Sequence, residues 1–364
     1  MTVAPVKEEK RVFMTGNEVV AWAALAAGAD IMYGYPITPQ NEVMHYWSRL
    51  APRYGKSFLQ TEDELSAGFA TTGGVMTGSK AFTATAGSGS VLMQEPMAMA
   101  EMMRLPTVTI VQQRGGPSTA TVIYSQQEVT LTTMGGNGEG IRVVYSTAGH
   151  QDLYDYTIKA FNIAWKYRFP TFVLGDGYQA KMREPLTIYD PEKRGVKLLQ
   201  PDPFVGKEGE PGRDRPPAQY RNTYNLEEEL YEKIMSDMKE FEENSADIAE
   251  YESSYTEDAE LVIIAHGIVF RAVREALDNL RQQGLPVGAF RPVTLRPLPV
   301  GQIKELVARV KKILVVESAY GQIARLIKEK ACGAACEIHT MFKPGIGIAA
   351  EEVEVRAKEI LAKQ

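Results

Sequence analysis

Short apolar segments alternate with longer amphipathic segments along most of this chain, and that alternation restricts the possible folds more than any other feature. In the first half, strand-like apolar segments occur at 30–35, 57–60, 80–85, 107–112, 142–145 and 171–175. A helix-like segment precedes the first of them, with Thr15 as a candidate cap and Gly28 after its end, and further helix-like segments lie between the others. Strands that alternate with helices predict a mainly parallel sheet covered by helices on both faces.

The same pattern divides the chain into two α/β domains and a connecting region. The 364 residues are enough for two domains. We predict one domain over residues 1–190 and a smaller one over residues 257–364, where strand-like and helix-like segments alternate again. Residues 191–256 are predicted to be a linker with one exposed, glutamate-rich helix at 225–250. Its first part is interrupted by Pro201, Pro203, Pro211, Pro216 and Pro217.

Composition argues against several classes of function. The formal net charge of -6 argues against a nucleic-acid-binding protein, which would need a basic face. No apolar run reaches the roughly 18 residues that a membrane span needs. Residues 1–11 are polar and lack the apolar centre of a signal peptide, so we expect a cytoplasmic protein.

The chain has two cysteines, Cys332 and Cys336. A four-iron cluster usually takes four thiolates, so this chain cannot hold one alone. A redox or metal pair would need further ligands. We therefore predict that both are small buried residues, the usual environment of a free cysteine.

Four of the strand-like segments end in loops of glycine, proline and polar residues. The loops contain Tyr35-Pro-Ile-Thr-Pro39, Thr61-Glu-Asp-Glu64, Ala86-Gly-Ser-Gly89 and Arg114-Gly-Gly-Pro-Ser118. One such loop would indicate little, because glycine and proline mark turns in any protein. In an open parallel sheet, however, ligands bind at the carboxyl ends of the strands. Four such loops at one edge therefore predict a ligand-binding site.

These loops resemble those of the alpha-type subunit of the 2-oxoacid:ferredoxin oxidoreductases. The resemblance covers residues 12–190 strongly and 255–364 more weakly, and it is closest to members acting on 2-oxoisovalerate, 2-oxoglutarate or aromatic 2-oxoacids. It implies a thiamine-diphosphate-binding parallel-sheet domain of the pyrimidine type, followed by a smaller α/β domain similar to the carboxy-terminal domain of transketolase. The motifs that carry it are Tyr35-Pro-Ile-Thr-Pro39, Glu62-Asp-Glu64, Thr83-Ala-Thr-Ala-Gly-Ser-Gly89, Arg114-Gly-Gly-Pro-Ser-Thr119 and Tyr167-Arg-Phe-Pro-Thr-Phe-Val-Leu-Gly-Asp-Gly177.

The resemblance also implies that this chain is one subunit of a larger enzyme. Members of the family bind thiamine diphosphate between two chains, and a beta-type subunit holds the diphosphate and its Mg²⁺. A gamma-type subunit and a ferredoxin-like subunit with iron–sulfur clusters complete the assembly, which reduces ferredoxin or another acceptor. The implied reaction is the oxidative decarboxylation of a 2-oxoacid with coenzyme A (CoA) as co-substrate, which gives an acyl-CoA and carbon dioxide.

The resemblance selects Glu64 as the catalytic carboxylate that activates the pyrimidine. A carboxylate bonded to a ring nitrogen of the aminopyrimidine favours its imino form, which makes the cofactor reactive. Glu64 precedes a helix of small residues that lets a cofactor and a partner chain approach closely. The alternative is an acidic first turn that the helix dipole stabilises, and this alternative is favoured for Glu62 and Asp63.

The resemblance also implies two substrate contacts, Thr38 and Arg114. Arg114 could bind the 2-oxoacid carboxylate through two parallel hydrogen bonds, whereas the alternative is a solvated arginine at a strand end. Thr38 could hydrogen-bond the substrate, or it could cap a helix that starts at Pro39, or both. The pyrimidine side and the rim of the site are predicted to include Tyr35, Pro36, Ile37, Glu64 and Gly87.

No metal site is predicted in this chain. Gly175-Asp-Gly177 is similar to the magnesium motif of thiamine enzymes, but the asparagine ligand that should follow is absent at a suitable spacing, so we interpret it as a turn. Two other functions stay open: a non-redox thiamine-dependent decarboxylase or transferase subunit, and a non-catalytic scaffold of the same ancestry. A nicotinamide-binding dehydrogenase is disfavoured because the glycine-rich turn it requires is missing.

Overall fold

The computed structural model describes residue 6, residues 8–205 and residues 220–362. The strands in these residues are β1 (Lys10–Thr15), β2 (Ile31–Gly34), β3 (Ser57–Gln60), β4 (Ala81–Thr85), β5 (Val108–Gln113), β6 (Val143–Ser146), β7 (Thr171–Asp176), β8 (Arg183–Ile188), β9 (Tyr251–Ser254), β10 (Leu261–Ile264), β11 (Val287–Pro292), β12 (Thr294–Arg296), β13 (Lys312–Glu317) and β14 (Glu337–Phe342).

The α-helices in the same residues are α1 (Gly16–Ala26), α2 (Asn41–Leu50), α3 (Glu64–Met76), α4 (Ser88–Leu92), α5 (Gln94–Met102), α6 (Val129–Met134), α7 (His150–Tyr167), α8 (Gly177–Lys181), α9 (Glu227–Ile248), α10 (Val269–Gln282), α11 (Val300–Arg309), α12 (Gln322–Lys330) and α13 (Ala350–Leu361). Short 3-10 turns occur at Ala51–Tyr54 and Glu192–Arg194. In the described parts of the chain, no helix is both long enough and apolar enough to cross a bilayer.

The main sheet, as far as the described residues show, has the strand order β12-β6-β7-β5-β4-β2-β3. Every neighbouring pair is parallel except β12 with β6. The parallel arrangement follows from the alternation of strands and helices, which forces a crossover helix between successive strands. The strands β4, β5 and β7 are buried along their whole length, because helices cover both faces of the sheet.

The second sheet has the order β14-β13-β10-β11-β9, with β9 antiparallel at one edge. Its core is continuous with that of the first sheet. One cluster of buried side chains joins Val111 and Leu174 of the first sheet to Val262 and Ile313 of the second. Moreover, β12 leaves the second α/β unit and pairs with β6 of the first sheet. The two units are therefore packed together and share hydrophobic core.

The glutamate-rich helix α9 packs on the first unit. It was predicted at 225–250 as an exposed helix, and it spans Glu227–Ile248 with only Phe241 and Ile248 buried. Arg104 binds it through Asp237 at 3.0 Å and Glu240 at 2.7 Å. The proline-rich part of the predicted linker that includes Pro211, Pro216 and Pro217 lies outside the described residues.

Two expectations from the sequence are wrong. The helix expected to start near Thr38 starts at Asn41, with Gln40 as its N-cap, so Thr38 is not a helix cap. Cys332 is exposed, not buried, because α12 ends at Lys330 and both cysteines lie in the loop that follows. Cys336 is half-buried against the shared core.

Candidate functional site

Four neighbouring strands, β3, β2, β4 and β5, end at the same edge of the main sheet. The four loops rich in glycine, proline and polar residues therefore leave this edge side by side. Parallel pairing requires this arrangement, because all carboxyl ends of parallel strands face one way. The predicted grouping of the loops is confirmed, and it brings Thr38, Glu64, Gly87 and Arg114 to one rim.

Glu64 is the first residue of α3, directly after the N-cap Asp63. The Asp63 carboxylate accepts a hydrogen bond from the Ser66 backbone N–H at 2.7 Å, which is the structural role expected for an acidic helix start. Glu64 is different, because it is only 5% exposed. Burial raises the pKa of its carboxyl above the usual range, although its own backbone N–H and the Arg114 charge oppose this.

Two glycines allow the Glu64 and Arg114 side chains to lie close to the loop backbone. A Cβ at Gly89 would lie 2.4 Å from Thr85 Oγ1 and 2.6 Å from Glu64 Oε1. A Cβ at Gly87 would lie 2.2 Å from Arg114 Nε, and Gly87 has φ of +55°, which an L-residue rarely adopts. The loop between β4 and α4 therefore requires glycine both for its backbone and for the side chains that pass over it.

Arg114 follows β5 and is only 4% exposed, so the alternative of a solvated strand-end arginine is wrong. Its Nη1 donates to the Thr38 carbonyl oxygen at 2.8 Å, and its Nη2 makes a long contact of 3.4 Å with Ser88 Oγ. Its Nε is buried and, in the described parts of the chain, finds no acceptor. A buried guanidinium with spare donors is suited to bind an anion.

The proline-framed loop before α2 presents its backbone to the site. The Gln40 side chain donates to the Tyr35 carbonyl at 2.9 Å, and the Gln40 backbone N–H donates to Ile37 O at 3.0 Å. These contacts fix the loop while Pro36 and Thr38 stay exposed. The contact with Arg114 uses the backbone carbonyl oxygen of Thr38, so the Thr38 hydroxyl is available to a ligand.

Glu128, immediately before α6, belongs to the same rim and was not predicted. Its carboxylate accepts hydrogen bonds from the backbone N–H groups of Gly87 and Arg114, each at 2.9 Å, and from Ser90 Oγ at 2.5 Å. Burial raises its pKa, and these three donors oppose the rise. The sequence carries one signal of this role: Glu128 is the only charged residue between Arg114 and Glu139.

Gly175-Asp-Gly177 lies where β7 meets α8, which agrees with its interpretation as a turn. Asp176 is the N-cap of α8 and accepts hydrogen bonds from Tyr178 N at 2.8 Å and Gln179 N at 3.0 Å. Residues 8–205 and 220–362 contain no group of three or more histidine, cysteine, aspartate or glutamate side chains placed to hold a metal ion.

The arrangement combines a buried carboxylate and a buried guanidinium on one rim, with glycines beside each. A buried carboxylate with a raised pKa holds a proton more readily than an exposed one, and a partly paired guanidinium can bind a carboxylate. Together they suit chemistry in which an anionic substrate reacts with a group that Glu64 contacts.

Two protein families match nearly the whole chain. Residues 22–253 match the family described as pyruvate flavodoxin/ferredoxin oxidoreductase, thiamine diphosphate-binding. Residues 259–355 match pyruvate:ferredoxin oxidoreductase core domain II.

Two relatives align with this chain over most of their length. The chain is 34% identical over 351 residues to 2-oxoglutarate synthase subunit KorA of Methanocaldococcus jannaschii, covering 92% of this chain and 95% of that protein. It is 33% identical over 317 residues to ketoisovalerate oxidoreductase subunit VorB of Methanothermobacter marburgensis, covering 86% and 88% respectively.

Two solved structures share the fold. The 2-oxoglutarate:ferredoxin oxidoreductase from Magnetococcus marinus, with 2-oxoglutarate, coenzyme A and succinyl-CoA bound, matches 96% of this chain with a TM-score of 0.83 and 27% identity. This chain spans 65% of that longer chain. A split-gene transketolase, an inactive beta4 tetramer, matches with a TM-score of 0.60 at 11% identity, which is a likeness of fold alone.

Proposed function

The chain belongs to the alpha-type, thiamine-diphosphate-binding subunits of the 2-oxoacid:ferredoxin oxidoreductases, and we propose that it supplies the pyrimidine side of the cofactor site and the contacts to the 2-oxoacid carboxylate. The family and the fold class predicted from the sequence are confirmed. As such a subunit it acts with partner chains in the CoA-dependent oxidative decarboxylation of a 2-oxoacid. Two relatives are named for different 2-oxoacids, so the proposal concerns the head group that these acids share.

The residues around Glu64 fit an aminopyrimidine. In the described residues no other side chain donates a hydrogen bond to the Glu64 carboxylate, so it is available to a ring nitrogen. Gly89 allows this carboxylate to lie close to its backbone, because a Cβ there would come within 2.6 Å of Glu64 Oε1. Thiamine diphosphate, when bound, supplies the nucleophilic carbon that adds to the 2-oxo group. Glu64 holds the proton shared with the ring nitrogen, and its raised pKa suits that sharing. Tyr35, Pro36, Ile37 and Gly87 form the rim around it.

The observation that carries the proposal is the buried Arg114 with spare donors a short distance from Glu64. The Arg114 charge acts on the pKa of Glu64, so the two groups share one site. A 2-oxoacid presents a carboxylate next to its reactive carbonyl, and the spare donors of Arg114 support the proposal that it binds that carboxylate. The Thr38 hydroxyl adds a directional hydrogen bond from the neighbouring loop.

A beta-type partner subunit that binds the diphosphate and Mg²⁺ would cover an apolar surface beside Glu64. Val91 and Leu92 on α4 are 59% and 49% exposed, and Leu59 on β3 and Phe69 on α3 are exposed as well. These side chains lie on elements that begin or end at the loops of the rim, so a chain that closes the cofactor site would also remove them from water.

We propose that iron–sulfur clusters and electron transfer to ferredoxin or another acceptor belong to further chains, a gamma-type subunit and a ferredoxin-like subunit. The chain's two cysteines are fewer than the four thiolates that such a cluster usually takes. A cytoplasmic location is part of the proposal, since CoA and reduced ferredoxin are co-reactants of cytoplasmic metabolism.

Affinity purification of this chain from its native source tests the proposal. We expect cysteine-rich, ferredoxin-like chains and a thiamine-binding chain to co-purify with it. The complex should reduce ferredoxin or a viologen dye only when thiamine diphosphate, a 2-oxoacid and CoA are all present. A complex that decarboxylates 2-oxoacids without reducing any acceptor would indicate a non-redox thiamine enzyme instead.

A further inference from the structure

Glu128 links two of the loops that form the rim. It accepts hydrogen bonds from the backbone N–H of Gly87, after β4, and of Arg114, after β5. Both donors are backbone N–H groups, so Glu128 fixes the backbone positions of Gly87 and Arg114. Arg114 and Glu128 also flank the loop 115–127, and the hydrogen bond between them holds the two ends of this loop together.

The second α/β unit holds the segment that carries Glu128 from both sides. Before Glu128, the Gln126 side chain donates to His266 O at 2.8 Å and accepts from Ser318 N at 3.0 Å, and the Gln126 N–H donates to Ser318 O at 3.0 Å. These three residues are fully buried. The Gln322 side chain holds the segment on both sides of Glu128: it accepts from Thr130 N, after Glu128, at 2.8 Å and donates to Gln127 O, directly before Glu128, at 2.7 Å.

We infer that Glu128 is a positioning residue for the 2-oxoacid site: it fixes the backbone of Arg114, and the second α/β unit holds Glu128 through Gln126 and Gln322. This inference rests on the proposed role of Arg114. The second unit therefore contributes to substrate binding from a distance. Small displacements of a binding group weaken catalysis strongly, so the effect is measurable.

Glu128→Gln and Gln322→Ala test the inference in the assembled enzyme, with 2-oxoglutarate and 2-oxoisovalerate as substrates. The amide that replaces the Glu128 carboxylate would place its NH₂ against one of the N–H donors. We expect the KM for the 2-oxoacid to rise on the order of tenfold to a hundredfold, while the KM for CoA stays unchanged. Gln322→Ala should raise the 2-oxoacid KM in the same direction by a smaller factor.

A double variant separates positioning from general damage. If Glu128 acts through Arg114, Glu128→Gln should add little to the loss already caused by Arg114→Ala. Glu101→Gln is the matched control, because Glu101 is also buried and its two carboxylate oxygens accept hydrogen bonds from Arg142 and not from the Gly87 or Arg114 backbone. It should lower the melting temperature without raising the 2-oxoacid KM.

The outcomes distinguish the inference from the function on which it rests. An unchanged 2-oxoacid KM in Arg114→Ala would refute the proposed role of Arg114 itself. A raised KM in Arg114→Ala with an unchanged KM in Glu128→Gln would refute the positioning role alone. The positioning role would also be refuted if Glu128→Gln caused the same loss in the Arg114→Ala background as in the wild type. A wild-type KM in Gln322→Ala would refute the contribution of the second unit.

Discussion

The guanidinium of Arg114 donates a 2.8 Å hydrogen bond to the backbone carbonyl of Thr38. The two residues proposed to bind the substrate head thus touch each other, although they follow different strands. Because the contact uses the Thr38 backbone, the Arg114 orientation does not depend on the Thr38 side chain. The two side chains can therefore be varied separately, and each variant reports on one contact to the substrate.

Arg114→Ala should weaken every 2-oxoacid by a similar factor. The carboxylate would be left without its cation in a largely buried site, which costs on the order of a few kcal/mol in kcat/KM. Arg114→Lys should recover only part, because an ammonium cannot make two parallel hydrogen bonds. The measurement is kcat/KM for short, branched, acidic and aromatic 2-oxoacids. A variant that changes its preference among tails while keeping full activity on one of them would place Arg114 in the tail pocket.

Glu64→Gln should leave the assembly intact and block activation of the cofactor. The amide cannot hold the proton that Glu64 shares with the ring nitrogen, so kcat should fall on the order of a hundredfold or more with little change in KM. Hydrogen–deuterium exchange at thiamine C2 is the direct assay. Glu62→Gln is the control, since Glu62 is exposed and accepts a hydrogen bond from the Ser66 hydroxyl at 3.0 Å. Normal exchange in the Glu64 variant would assign the role to another carboxylate.

The main sheet and the rim could be predicted because local sequence determines them. The strands of the main sheet and the helices between them are encoded by the alternation of apolar and amphipathic segments, and parallel pairing then brings the loop residues together. Glu128 could not be predicted in the same way. Its partners Gly87 and Ser90 lie far from it in sequence, and no periodic pattern connects them. The pairing of β12 with β6 is likewise a tertiary contact that a three-residue segment does not encode.

Gly89→Ala should weaken thiamine diphosphate binding by at least about tenfold. The added Cβ would lie 2.4 Å from Thr85 Oγ1 and 2.6 Å from Glu64 Oε1, so the Glu64 carboxylate must move from its present position. Titration of the cofactor-free complex with thiamine diphosphate measures the affinity. Gly301→Ala on α11 is the control, because nothing lies within 4 Å of its Cβ position. Equal affinities in both variants would mean that cofactor binding does not depend on the position of the Glu64 carboxylate.

The burial of Asp176 should make the free energy of unfolding depend on pH, and a single substitution can isolate this dependence. Burial raises the pKa of this carboxyl to about 7 from an ordinary value of 3.8, and the two N–H groups that it caps only partly oppose the rise. Below the ordinary pKa both folded and unfolded chains carry the proton. Between about pH 4 and pH 7 the folded chain keeps a proton that the unfolded chain has lost, so raising the pH through this window lowers the free energy of unfolding.

Asp176→Asn should remove that dependence, because the neutral amide oxygen can accept the same two hydrogen bonds from Tyr178 and Gln179 at any pH. At about 1.36 kcal/mol per pKa unit, the variant should gain on the order of 4 kcal/mol relative to the wild type between pH 4 and pH 8. Melting temperatures of both proteins across this range provide the measurement. The difference between them should increase with pH and level off above the raised pKa. Parallel curves would show that Asp176 ionises at its ordinary pKa despite its burial.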